Sequence, residues 1–334
     1  MGDFVNLDPT WYHDASVYRR ERERVWTTEW LVVAITAELE GPGAHVATDI
    51  AGWPVLVRRH TDGGLRAFLN VCPHRGGPIA WPGRGTSGNL VCRYHGWAFD
   101  AEGSLVSARD FGADAPDCAL TRISVETWGP LVFVNLSPSS HSLRESLSSL
   151  VDVIDADDLD EMRHARRMVR EIACNWKTYV DNYLEAYHVP MLHPLLGSAI
   201  DASAYRIDIP DPSYCVHSAP TRDGAANSGR WTFRYPNLAL NVYPDAMNVE
   251  RIEPIDATRT RIVYDYFSRD PSDEAIAAML HMSNVTLDED HMVVERIQLN
   301  MQSGAYRPGP LSPRHETAVA WFQDRIHRTL TEQP

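Results

Sequence analysis

The chain has 334 residues, and at about 150 residues per domain this length predicts about two domains, each with its own core. Acidic residues outnumber basic ones by 45 to 31, and the net charge of −14 excludes nucleic acid and anionic membranes as favourable partners. No apolar run approaches the roughly 20 residues of a membrane span, and the N-terminus lacks a signal-peptide pattern. We therefore expect a soluble, cytoplasmic protein.

The predicted elements divide the chain into two parts of different character. Residues 14–26 predict a surface helix, and from about Trp30 to Leu136 short β-branched and aromatic runs broken by Gly and Pro predict a small antiparallel β domain. From Arg163 onward strands alternate with helices, of which the clearest spans Asp273 to about Gln302 and the last Pro313 to Leu330. This order predicts an α+β fold in which an antiparallel sheet wraps around helices.

We place the domain boundaries at changes in composition. Residues 1–38 form an N-terminal helical segment that packs with the last domain, 39–137 the β domain, 138–162 a linker and 163–334 the α+β domain. The linker is Ser-rich and then acidic, and a solvated loop with a short helix explains it equally well.

The clearest motif is VCPHRGG followed by LVCRYHGWAF, which places Cys72 beside His74 and Cys92 beside His95. Four such ligands on two loops can enclose one metal centre. Structural thiols and histidines, or a tetrahedral zinc site, are alternatives. However, each loop supplies one Cys and one His, which favours a two-iron cluster whose cysteines hold one iron and whose histidines hold the other.

A second group of candidate ligands lies in NWKTYVDNYLEAYHVPMLHPLL. On a helix Asp181, Glu185 and His188 would share one stripe, whereas His193 would point away unless Pro190 turns the chain. Two histidines five residues apart are weak evidence alone, because ordinary histidines show the same spacing. An electron carrier in the same chain, however, needs something to reduce.

A ferrous site with two histidines needs one carboxylate, an arrangement that keeps positions open for dioxygen and substrate. The acidic cluster Asp288, Glu289 and Asp290 is the best source, and for at least two of the three a solvated helix face is an alternative. We choose Asp290 as the third ligand, and we expect His291 to be a neighbour.

The chain resembles the Rieske-type non-haem iron oxygenases, specifically the large (alpha) catalytic subunit of the ring-hydroxylating and demethylating oxygenases. The resemblance covers nearly the whole chain, through the CPHRG and CRYHGW pair, NWK…DNYLEAYHVPMLHP, PNLALNVYP, and LDEDHMVVERIQ to SPRHETAV. It implies a Rieske [2Fe–2S] domain at 39–137 and a helix-grip catalytic domain at 163–334.

The resemblance also implies the role of each candidate ligand. Cys72 and Cys92 would hold the inner iron of the cluster and His74 and His95 the outer iron, while the mononuclear iron would be held by His188, His193 and Asp290. Glu185 takes the place of the family's usual aspartate, which bridges the cluster of one subunit to the iron of the next in a trimer. Similar Glu-containing members include some that oxidise N-methylated substrates.

The implied activity is that of an oxidoreductase, a monooxygenase or dioxygenase, that incorporates dioxygen into a small aromatic, alicyclic or N-methylated substrate. A separate reductase, directly or through a ferredoxin, would relay electrons from NAD(P)H to a homotrimer. Candidate pocket residues, for each of which core packing is an equal explanation, are Leu184, Leu195, Leu196, Trp231, Phe233, Leu238, Leu240 and Met247. The alternatives are an electron-transfer or sensing Rieske protein without oxygenase activity, and a zinc-stabilised binding module.

Overall fold

The computed structural model describes residues 5–112, 116–137, 141–154, 159–220, 230–270 and 272–332. The chain forms two compact units, residues 26–146 and residues 1–25 with 147–334, which we call the small unit and the large unit. Parts of the predicted linker, 138–140 and 155–158, lie outside the described residues. No helix in the described part of the chain is both long and apolar enough to cross a membrane.

The small unit is built on antiparallel sheets, as its β-branched runs predict. Its larger sheet has the order β1-β10-β9-β4-β3-β2-β5. The strands are β1 (Leu31–Ile35), β2 (Ala44–Ile50), β3 (Trp53–Arg59), β4 (Leu65–Leu69), β5 (Gly83–Thr86), β9 (Arg122–Trp128) and β10 (Leu131–Asn135). Strand β1 pairs with β10 and is buried throughout, so the small unit begins before the predicted boundary at residue 39.

A second, three-stranded sheet of the small unit carries one of the two Cys/His loops. It consists of β6 (Leu90–Val91), β7 (Ala98–Phe99) and β8 (Leu105–Ser107). The loop with Cys92 and His95 joins β6 to β7, and the loop with Cys72 and His74 follows β4. Both loops therefore start from a strand end, which fixes their separation.

The large unit contains a seven-stranded antiparallel sheet in the order β11-β17-β16-β15-β14-β13-β12. Its strands are β11 (Arg163–Ile172), β12 (Arg206–Asp211), β13 (Tyr214–Ser218), β14 (Arg230–Arg234), β15 (Leu238–Val242), β16 (Ala246–Pro254) and β17 (Thr260–Ser268). Successive strands from β12 to β17 pair with their neighbours in sequence, as in a meander. The predicted α+β class is thus confirmed by sheets that are antiparallel and helices that are separate from them.

The described α-helices belong mainly to the large unit. They are α1 (Ala15–Arg24), α2 (Leu143–Leu147), α3 (Leu150–Val153), α4 (Trp176–Tyr183), α5 (Val189–Leu192), α6 (Pro194–Ala199), α7 (Asp273–Gln302) and α8 (Thr317–Thr331). The side chain of Ser272 accepts a hydrogen bond at the start of α7, and this 30-residue helix contains no Gly or Pro. The Ser-rich stretch forms α2 and α3, whose leucines at 143, 147 and 150 are buried.

Helix α1 is less exposed than its many charges suggest. Asp14 caps it by accepting a hydrogen bond from the N–H of Ser16. Glu21 is fully buried, where its carboxylate accepts hydrogen bonds from the ammonium of Lys177 and from the indole N–H of Trp176. This buried ion pair ties α1 to α4 within the large unit.

A second buried ion cluster joins the strands at one edge of the large sheet. The carboxylate of Asp265 on β17 accepts hydrogen bonds from the guanidinium of Arg167 at 2.7 Å and lies 2.9 Å from Nε2 of His164. Burial raises the pKa of Asp265, but the hydrogen bond with His164 and the charges of Arg251 and Arg167 outweigh burial and hold that pKa at about 2.

Candidate metal centres and substrate cavity

The two Cys/His loops of the small unit have the same backbone hydrogen bonds. The N–H of Cys72 and that of Cys92 each donate to the carbonyl five residues on, at 2.8 Å in both loops. Gly76 and Gly96, four residues after each cysteine, donate back to the cysteine carbonyl and have φ of +72° and +76°. A left-handed backbone at that position favours glycine, which explains the HRG and YHG sequences.

The side chains of these loops converge. Both cysteines are buried, and the rings of His74 and His95 lie 4.7 Å apart between centroids. Trp97 stacks on His74 at 4.5 Å, which covers the site with apolar surface. A Cβ at Gly77 would lie 3.0 Å from Sγ of Cys92, so only glycine lets the first loop approach the second cysteine.

Two observations test whether an iron–sulfur cluster fits here. Nδ1 of His74 is buried and has no hydrogen-bond partner among the described residues, as expected of a nitrogen that serves as a metal ligand. Burial raises the pKa of Cys72, and the adjacent Cys92 thiol raises it further, so two thiolates side by side need a cation to stabilise them. The donor set and its environment fit the cluster.

In the large unit, His188, His193 and Asp290 converge, and their ligand atoms all lie within 4.8 Å of one another. Oδ1 of Asp290 is 3.0 Å from Nε2 of His193 and 3.6 Å from Nε2 of His188. It also accepts a hydrogen bond from the side-chain amide of Asn182 at 2.8 Å. Two imidazole nitrogens and one carboxylate oxygen thus point at one position, and this donor set fits a non-haem iron.

The far ring nitrogen of each histidine contacts a second carboxylate. Nδ1 of His188 is hydrogen-bonded to Glu185, and Nδ1 of His193 lies 2.7 Å from Oε2 of Glu289. Each carboxylate fixes the tautomer that leaves Nε2 free to bind a metal. Burial lowers the pKa of His193, but Asp290 and Glu289 together raise it above its ordinary value. Glu289, which the sequence presents only as an alternative ligand, thus positions His193, a role that its residue type does not reveal.

Asp288 and His291, which flank Glu289 and Asp290 in the sequence, make other contacts. Asp288 is 68% exposed and forms an ion pair with Arg170. His291 is buried and contacts the hydroxyl of Tyr264 at 3.1 Å rather than the converging ligands.

The segment from Asp181 to His193 differs from the predicted helix. Helix α4 ends at Tyr183, so Glu185 and His188 do not continue its stripe. The side chain of Glu185 instead accepts hydrogen bonds from the backbone N–H groups of Tyr187 and His188, which stabilises a turn. Pro190 lies in the first turn of the short helix α5, where its missing N–H is tolerated, and His193 follows that helix.

A cavity of about 430 Å³ lies beside the three converging residues and is lined by all of them. Aromatic side chains form much of its wall: Tyr179, Tyr183, Tyr205, Trp231, Tyr243 and Tyr266. Of the predicted pocket residues, Leu196 and Trp231 line it. Leu238, Leu240 and Met247 alternate with the lining residues Asn241 and Asn248 on β15 and β16, and therefore point to the opposite face of the sheet.

The remaining predicted pocket residues also lie outside the lining. Leu184 is buried directly after the end of α4, Phe233 packs edge-on against Phe322, and Leu195 is only partly buried on α6.

One wall of the cavity holds a buried carboxylate. Glu250 on β16 is 4% exposed, and its oxygens accept hydrogen bonds from the hydroxyl of Tyr179 at 2.6 Å and the amide of Asn241 at 2.9 Å. The amide of Asn248 is a third donor, at 3.3 Å. Burial raises the pKa of Glu250 to about 7, although the hydrogen bonds from Tyr179 and Asn241 oppose the shift.

Comparison with protein families identifies both units. The Rieske [2Fe-2S] domain matches residues 29–122, and the ring hydroxylating alpha subunit (catalytic domain) matches residues 159–232 and 216–332. The chain belongs to the Rieske-type ring-hydroxylating oxygenase alpha subunits. The family implies a Rieske [2Fe–2S] cluster and a non-haem iron, and the donor sets of the two units fit these groups.

Individual relatives of this alpha subunit are monooxygenases. It is 31% identical to the carnitine monooxygenase oxygenase subunit of Escherichia coli K12, over 89% of this chain and 84% of the relative. It is 28% identical to the chloroplastic choline monooxygenase of Amaranthus tricolor, over 96% of this chain and 77% of the relative. The crystal structure of the quaternary ammonium Rieske monooxygenase CntA with L-carnitine matches with a TM-score of 0.88 at 25% identity, covering 98% of this chain and 96% of that one.

Proposed function

We propose that this alpha subunit is the oxygenase component of a monooxygenase that hydroxylates a small N-methylated substrate, and that a separate reductase, directly or through a ferredoxin, supplies its electrons from NAD(P)H. The observation that carries the proposal is the convergence of His188, His193 and Asp290 on a cavity with aromatic walls. A protein that only transfers or senses electrons has no need of such a cavity, so the convergence favours an enzyme.

Each cofactor has its own set of protein ligands in this proposal. Cys72, His74, Cys92 and His95 hold the cluster, and His188, His193 and Asp290 hold the mononuclear iron. When bound, the two groups supply single electrons and dioxygen activation respectively. The chain's own contribution is to orient the ligands: Glu185 and Glu289 hold the two imidazole rings with Nε2 towards Asp290.

The reaction is a hydroxylation of a C–H bond next to nitrogen. A substrate methyl group, dioxygen, two electrons and two protons give a hydroxymethyl group and water, and an N-hydroxymethyl product then releases formaldehyde. The cavity orients the substrate against its aromatic faces and excludes water from the reacting carbon.

N-methylated substrates are favoured by the relatives whose names state their substrates. The chain aligns over most of its length with carnitine and choline monooxygenases, at 31% and 28% identity. The naphthalene 1,2-dioxygenase structures are 17% to 18% identical and support the shared fold alone. Monooxygenation of an N-methylated compound is therefore preferred to dihydroxylation of an aromatic ring.

The proposal includes a homotrimer in which Glu185 forms the bridge between subunits, and the exposed surface beside this residue favours a subunit contact there. Tyr187 is 60% exposed and Met191 is 89% exposed, and both lie within six residues of Glu185 in sequence. Large apolar side chains at such exposure are suited to burial by another protein surface. A neighbouring subunit placed there would bring its cluster close to Glu185 and hence to His188.

The proposal is tested with the iron-loaded protein, a surrogate reductase and NADH. We expect choline, carnitine or a related N-methylated compound to cause oxygen uptake with one hydroxylated or demethylated product per NADH, detected by mass spectrometry. His193→Ala is the control, because it should lose turnover while the visible absorption of the cluster stays. Turnover of naphthalene to a diol, with no product from any N-methylated compound, would refute the proposal.

A further inference from the structure

The cavity wall contains a buried carboxyl group that has no basic partner among the described residues. Four carboxylates of the large unit are buried among its described residues, and three lie beside a basic group: Glu21 with Lys177, Glu253 with Arg251, and Asp265 with Arg167. The fourth is Glu250. Its described partners are the neutral donors Tyr179, Asn241 and Asn248.

A buried carboxylate is costly unless it is paired or fully hydrogen-bonded. Three donors to Glu250 stabilise its ionised form, yet they do not neutralise its charge. A cation placed in the cavity would complete the electrostatics of this wall.

The position of Glu250 also allows such contact. Asn248 and Glu250 are two apart on β16, so their side chains leave the same face of the sheet, and both line the cavity. Tyr266 pairs with Asn248 across to β17, and Trp231 pairs with Asn241 across to β14, so aromatic rings stand on the same face. A cavity with one carboxylate among aromatic faces is suited to an alkylammonium group.

We infer that Glu250 is the residue that selects a cationic substrate, by placing its carboxylate against the positive nitrogen while the aromatic walls cover the methyl groups. The inference rests on the proposed function, since it names the residue that would recognise the N-methylated group. It adds that recognition depends on charge as well as on shape. Glu250 is in this role a specificity residue and takes no part in holding the iron.

The test compares two ligands of the same shape and different charge. Choline and 3,3-dimethylbutan-1-ol differ in that a quaternary nitrogen replaces a quaternary carbon, and both carry the hydroxyl group. Their dissociation constants are measured by calorimetry on the iron-loaded protein under nitrogen. We expect choline to bind at least about 30-fold more tightly than the alcohol, as a desolvated charge pair allows. Equal affinities would overturn the inference without any variant.

Glu250→Gln then assigns the discrimination to this residue. The change keeps the size of the side chain and removes its charge, and the new amide N–H can donate to the hydroxyl of Tyr179, which now donates to Glu250. We therefore expect choline affinity to fall about 10- to 100-fold and the alcohol to bind within about threefold of its former affinity. Glu253→Gln is the matched control: this buried acid lies on the same strand, pairs with Arg251 and does not line the cavity. Choline affinity should be unchanged in Glu253→Gln.

Three other outcomes distinguish a failure of the inference from a failure of the proposed function. If Glu250→Gln weakens choline and the alcohol equally, the carboxylate contacts the shared hydroxyl group and the charge assignment is wrong. If choline is a substrate and Glu250→Gln leaves its affinity unchanged, the inference fails while the proposed function stands. If choline binds through Glu250 but no N-methylated compound is turned over, the inference holds and the proposed reaction fails.

Discussion

The three consecutive acids of α7 provide the sharpest test of the iron site, because the structure gives each a different role. Glu289→Gln should weaken mononuclear iron binding about tenfold. The carboxylate of Glu289 makes a charge-assisted hydrogen bond of 2.7 Å with Nδ1 of His193, whose side chain is only 1% exposed. The amide of glutamine keeps the shape of the side chain but makes a neutral hydrogen bond instead. A hydrogen bond to a charged group contributes about 1.5–3 kcal/mol and a neutral one about 0.5–1.5, and the difference of about 1.4 kcal/mol is a factor of ten.

The measurement is competition for Fe(II) with a coloured chelator under nitrogen, with the visible absorption of the cluster as the internal reference. Asp290→Ala should abolish mononuclear iron and turnover and keep the cluster signal, because it removes a ligand. Asp288→Asn is the matched control, since this side chain is 68% exposed and contacts Arg170 instead of a histidine. The reasoning is refuted if Asp288→Asn weakens iron binding as much as Glu289→Gln, or if Asp290→Ala retains its iron.

Two further predictions concern the small unit and the pH dependence of stability. Gly77→Ala should lower cluster content severely, because the added Cβ would lie 3.0 Å from Sγ of Cys92. Gly88→Ala is the control and should keep the full visible absorption of the cluster, because an added Cβ there would have nothing within 4 Å. Equal losses in both variants would contradict the packing argument. The free energy of unfolding of Asp265→Asn, measured in urea at pH 6, should be about 2 kcal/mol lower than that of the unsubstituted protein. The reason is that the opposing basic groups outweigh burial and hold the pKa of Asp265 in the folded protein at about 2, below its ordinary 3.8. A carboxyl group whose pKa is lowered on folding stabilises the folded protein fully only at pH values above its pKa in the unfolded chain. The difference in free energy of unfolding between the two proteins should therefore shrink to about half at pH 3, and a difference independent of pH would disprove the assignment.

The sequence predicted more of the candidate cluster site than of the candidate iron site. The cluster loops are local: each cysteine lies within three residues of its histidine, and glycine marks the turn, so the spacing alone carries the geometry. Helix α7 was also predictable over Asp273–Gln302, because no Gly or Pro interrupts its apolar spacing. The turn at Glu185 was not, because its side chain competes with the helix for backbone N–H groups and nothing in the composition of that segment signals it. Nor was the inferred role of Glu250, which depends on the absence of a basic neighbour among the described residues of other strands and helices.

The choice among the three acids illustrates why register, rather than residue type, decides such a site. Consecutive residues on an α-helix point about 100° apart, so Asp288, Glu289 and Asp290 face three different directions. The buried positions Leu287, His291, Val294 and Gln298 are four, three and four residues apart and define the inner stripe of α7. Asp290 borders that stripe, within reach of Nε2 of both histidines. Glu289 lies one step further round and, with its longer side chain, reaches Nδ1 of His193, while Asp288 lies about 200° from Asp290 and faces solvent. A helix that presents three acids in succession therefore offers one ligand position, one supporting position and one surface position, and the side of α7 that faces His188 and His193 determines which acid takes each.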